Sequence, residues 1–92
     1  MIKCHIESVF KHYFPKLTIV NITNDGIVVE IDKDIIIHLS LSKSNLDIYT
    51  SELWFADEDF LYLHQSTDLN ELMQVTKQKL NDMFTDWMSK VN

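Results

Sequence analysis

The stretch NDGIVVEIDKDIIIHLSL, Asn24 to Leu41, decides the fold. Asn24, Asp25 and Gly26 tolerate positive φ, so together they predict a tight turn. Beyond it Ile27, Val29 and Ile31 alternate with Val28, Glu30 and Asp32. That two-residue period marks a strand with one face buried and one wet. Lys33 and Asp34 suit a second hairpin turn, after which Ile35, Ile37, Leu39 and Leu41 alternate with Ile36, His38 and Ser40. Strands joined this tightly run antiparallel.

Working outward, Leu17 to Thr23 predicts an earlier strand and residues 2–14 a helix. Ile2, Ile6, Val9, Phe10 and Tyr13 line one stripe of that helix, while Lys3, Glu7 and Lys11 stand four apart on another face. Pro15 disfavours helix at Phe14 and ends the element. Downstream, Ser42 to Asn45 predicts a turn, Leu46 to about Phe55 a fourth strand, and Ala56 to Asp59 a charged connector. Phe60 to Leu63 then returns as a fifth strand, with a short helix within 52–60 as the competing expectation.

Asp68 and Glu71 have capping-box spacing, and acids suit a helix N-terminus. From there Leu69, Leu72, Met73, Thr76, Leu80, Met83, Phe84, Trp87, Met88 and Val91 form one apolar stripe to the C-terminus. About 23 residues would run roughly 34 Å, against a radius of gyration of about 12 Å for a chain this long. The expected architecture is α+β, with residues 1–92 as a single domain. It is an antiparallel meander of four or five strands, with an N-terminal helix and a long C-terminal helix packed on one face.

Composition narrows function. The chain has 92 residues, 14 acids against 8 basic residues (all lysine), and a net charge of −6. Arginine is the residue that reads phosphate and guanine edges bidentately, and a net negative surface repels nucleic acid, so direct DNA or RNA binding is not expected. The lone Cys4 excludes an internal disulfide and a cysteine-rich zinc framework. The first residues, broken by Lys3, His5 and Glu7, are no signal peptide. No apolar run reaches the length of a membrane span. A reducing cytoplasm is the expected compartment.

Candidate chemistry is sparse. His5, His12, His38 and His64 form no H-x-H or H-E-x-x-H pair, so no metal site is expected. Cys4 and His5 are adjacent helix positions and point apart. The single Gly26 excludes a glycine-rich phosphate cradle. Carboxylate pairs such as Glu30 with Asp32, or Asp57 with Asp59, would need a deep cleft to act as acid and base. A binding protein without cofactor is expected, not an enzyme.

The charge map carries more information. Residues 44–72 hold seven acids and no lysine. Carboxylates at strand and helix-turn separations approximate the spacing of phosphates along a DNA strand, about 7 Å. Glu30, Asp32, Asp34, Asp47, Glu52, Asp57, Glu58, Asp59, Asp68 and Glu71 are the candidate contact residues. Their mimicry of DNA requires one ordered ridge; the plain alternative is a solvated acidic surface. Met83, Trp87 and Met88 on the last helix are candidates for a homodimer interface, with core packing as the alternative.

In size, charge style and lack of catalytic motifs the chain resembles small phage-encoded antirestriction DNA mimics of the Arn type. That resemblance implies a homodimer whose acidic face competes with DNA for a restriction nuclease or other host DNA-binding protein, in the host cytoplasm. The N-terminal lysines depart from an all-acidic surface. A second expectation is a small dimeric cytoplasmic chaperone or adaptor, resembling acidic secretion chaperones. It would bind an apolar segment through Trp54, Phe55, Phe60 and Tyr62.

Overall fold

The computed structural model describes residues 2–32 and 37–84. The elements run α1 (Ile2–Tyr13), β1 (Thr18–Ile22), β2 (Gly26–Asp32), β3 (Ile37–Lys43), β4 (Tyr49–Trp54), β5 (Phe60–Ser66) and α2 (Leu69–Met83). The five strands form one antiparallel sheet in sequence order, β1-β2-β3-β4-β5. This is the expected α+β meander.

Alternation sets the layers. Ile27, Val29 and Ile31 of β2, Ile37, Leu39 and Leu41 of β3, and Leu53 of β4 are buried on one face. Across the strands, Ile27 opposes Leu41, Val29 opposes Leu39, and Leu39 opposes Leu53. Both helices cover that face: α1 lies over β2, and α2 over β4 and β5. From α1 come the buried Ile6 and Phe10; the Phe10 ring stacks on that of Phe14, with centroids 5.1 Å apart. From α2 come Leu69, Leu72, Met73 and Leu80. On the flank of α1 that borders β1, Glu7 and Lys11 pair at 2.9 Å.

The leading expectations for 52–60 and for the Asn24–Gly26 turn hold, and three points refine the elements. The stretch 52–60 contains no helix: β4 ends at Trp54, a turn follows, and β5 begins at Phe60. Phe55 N donates to Asp59 O at 2.9 Å, and Glu58 takes φ 69° to close that turn. Second, Gly26 does not adopt positive φ. It is the first residue of β2, opposite Ser42, and a Cβ there would stand 2.0 Å from the Leu41 carbonyl oxygen. Close strand approach requires the glycine, not turn conformation.

Third, α2 is shorter than its apolar stripe. Phe84 leaves helical geometry at φ −131°, ψ 53°, while its N–H still reaches Leu80 O at 2.8 Å. The 15 residues of α2 measure roughly 22 Å. That length stays within the 34 × 26 × 19 Å body. Trp87, Met88 and Val91 lie outside the described residues. At its start, Asp68 accepts from the N–H groups of Asn70 and Glu71. The reciprocal half of the capping box is absent, because Ser66 Oγ takes the Asp68 N–H at 3.0 Å.

Candidate functional site

The strand registers place side chains in rows across the open face, on which no described element packs. One row runs Glu30, His38, Trp54, Phe60; the next runs Val28, Ser40, Glu52, Tyr62. A third, Ser42, Thr50, Gln65, is uniformly polar. Aromatic residues therefore gather where β4 meets the edge strand β5. Trp54 and Phe60 stack with ring centroids 4.9 Å apart and planes inclined at 22°. Trp54 is 37% exposed, Phe60 54% and Tyr62 52%. Phe55 turns the other way and packs against the core.

The acids do not form one row. In a meander the connections alternate between two ends of the sheet. Asp57, Glu58 and Asp59 occupy the β4–β5 turn, at the end where β2 finishes with Asp32. Asp47 sits in the β3–β4 turn at the opposite end, and Asp68 follows β5 to that same end. Glu30 and Glu52 lie on the open face between these ends. Glu71 belongs to α2 and bonds His64 Nε2 at 3.1 Å. Asp34 lies outside the described residues.

Several of these carboxylates have local work. Asp57 Oδ1 accepts from Asp59 N at 3.3 Å within its turn, and Asp68 caps α2. Asp47, at φ 60°, pairs with Lys43 at 2.7 Å. That hydrogen bond holds the Lys43 amine above its ordinary value. Glu30 and Glu52 carry no such described partner.

The cations are segregated. Lys11 lies on α1, and Lys77 and Lys79 on α2. Lys77 donates to Tyr13 O at 3.2 Å, and Lys79 donates to Leu63 O. Among the described residues no lysine stands on the open face. The open face is therefore aromatic and negative, while the helix layer holds ammonium groups.

Sequence reasoning missed one buried feature. Ser51 and Thr76 are fully buried, and Thr76 Oγ1 donates to Ser51 Oγ at 2.7 Å, joining β4 to α2. The signal was present: Ser51 shares the core-facing parity of Leu53, and Thr76 lies in the apolar stripe of α2.

Of the candidate dimer residues, Met83 is exposed at the end of α2, whereas Trp87 and Met88 lie outside the described residues. Among the described residues no three His, Cys, Asp or Glu side chains converge on a point that could hold a metal ion. No described helix is long and apolar enough to cross a membrane. No protein-family model, curated protein sequence or solved structure matches this chain.

Proposed function

We propose that this chain is a non-enzymatic protein-binding domain that engages its partner through the open face of the sheet around Trp54, Phe60 and Tyr62. One observation carries the proposal: three large aromatic side chains sit together, solvent-exposed, on an uncovered face that also bears Glu30 and Glu52. Tyrosine and tryptophan dominate binding hot spots. Grouped apolar exposure marks contact surfaces more than scattered exposure does. The carboxylates steer a basic partner and disfavour acidic ones.

The partner therefore presents an apolar and basic surface. A DNA-binding protein such as a restriction nuclease fits the basic half of that description. Occupation of a DNA groove by carboxylates alone would need acids in phosphate-like succession. The described acids divide among two sheet ends, the open face and α2, so the aromatic cluster is the centre and the acids are its rim. The adaptor function shares this same surface.

Capture on the immobilised chain from a bacterial lysate tests the proposal. Protein retained by the unaltered chain should be lost with Trp54→Thr/Phe60→Thr, under conditions where circular dichroism shows the sheet intact. Retention should also weaken as salt rises to about 0.5 M without vanishing, because apolar contact survives screening. Capture that ignores the double substitution would contradict the proposal.

A further inference from the structure

Toward the β5 edge of the open face, Glu52, Trp54, Phe60 and Tyr62 form a two-by-two block. Trp54 stands opposite Phe60, and Glu52 opposite Tyr62. Side chains two apart on a strand are about 6.6–6.8 Å apart, and directly opposed Cβ atoms about 4.5–5.5 Å. The block is thus the size of one long side chain. It offers stacked rings, a phenol and a carboxylate to the same visitor.

A guanidinium suits all of these at once. It is planar and weakly hydrated, it stacks on aromatic faces, and its forked donors bind a carboxylate bidentately. We propose that this block receives an arginine side chain from the partner, with the guanidinium against the exposed rings of Trp54, Phe60 and Tyr62 and Glu52 as its counter-ion. The inference rests on the open-face binding proposal and narrows the partner to an extended segment bearing arginine.

Charge supports that occupant. The chain has a net charge of −6 and contains no arginine of its own, so no internal guanidinium competes for the site. The described lysines lie on the helix layer, in the turns or at the end of β3, none on this face. Glu30, two strands from Trp54 in the same row, extends the negative rim along the direction such a segment would cross.

A pair of fluorescent, strand-forming peptides tests this, identical except that one carries arginine where the other carries citrulline, its neutral isostere. Anisotropy titrations against the full chain should give about tenfold tighter binding for the arginine peptide. Glu52→Gln should erase most of that difference while leaving citrulline binding unchanged, and Phe60→Leu should weaken the arginine peptide more than its isostere. Equal binding of the two peptides would overturn the arginine inference and leave the open-face proposal standing. Binding of neither peptide would overturn it too, and the lysate capture would then judge the broader proposal alone.

Discussion

The two faces of the sheet are built from the same strands, one residue out of step, and they have opposite character. On the covered face Val29, Leu39 and Leu53 stack beneath the helices, each fully buried. On the open face their neighbours Glu30, His38 and Trp54 share a row in contact with solvent. What holds the domain together lies on one side, and the surface proposed for a partner lies on the other. The Trp54–Phe60 pair stands outside the core cluster, which leaves it available for the recognition proposed above.

Substitutions can break or sharpen this contrast. The largest expected effect compares two adjacent residues of β4. Leu53→Ala should cost about 2–5 kcal/mol by urea denaturation, a large share of the roughly 5–14 kcal/mol available to a domain of this size. Glu52→Ala should cost less than about 0.5 kcal/mol. Equal losses at the two positions would mean that the open face is covered after all.

Next comes Gly26→Ala. Its Cβ would meet Leu41 O and the Ser42 backbone, neither of which can swing aside. A loss of about 1–3 kcal/mol is expected, read as a lower denaturation midpoint. Third, Ser51→Ala alone strands the buried Thr76 hydroxyl and should cost about 1–3 kcal/mol. The double variant Ser51→Ala/Thr76→Val should lose less than the sum of the singles, with the coupling read from a double-mutant cycle.

The smallest effect concerns the Lys43–Asp47 tie. Because the folded state holds the Lys43 amine above its ordinary value, its contribution is complete below the unfolded value of about 10.4 and fades only as pH rises past the folded one. Lys43→Met should therefore lower Tm slightly and equally from pH 6 to pH 9. The two proteins should converge only in strong alkali.

Much of the fold was legible. Two-residue alternation from Ile27 onward and the polar turns between runs predict a meander, and Asp68 marks the start of α2. The end of α2 was not legible, because no glycine or proline interrupts the stripe before Phe84, which leaves helical geometry while packed against the core. The grouping of the acids was not legible either. Residues 44–72 are dense in carboxylates along the chain, but successive hairpin turns send Asp47 to one end of the sheet and Asp57 to the other. Linear density is not spatial density. The aromatic side of the site was partly legible: Trp54, Phe60 and Tyr62 were expected on the sheet, but only the Trp54–Phe60 register reveals that two of them stack, and only burial reveals that Phe55 leaves them.

Photo-crosslinking tests most directly where partners dock. Benzoylphenylalanine placed at Phe60 on the open face, and separately at Gln78 on the exposed side of α2, samples the two layers in the same bacterial lysate. Crosslinked protein from position 60 with none from position 78 is the expected result. Crosslinks from position 78 alone, with position 60 silent, would contradict the account by putting recognition on the helices.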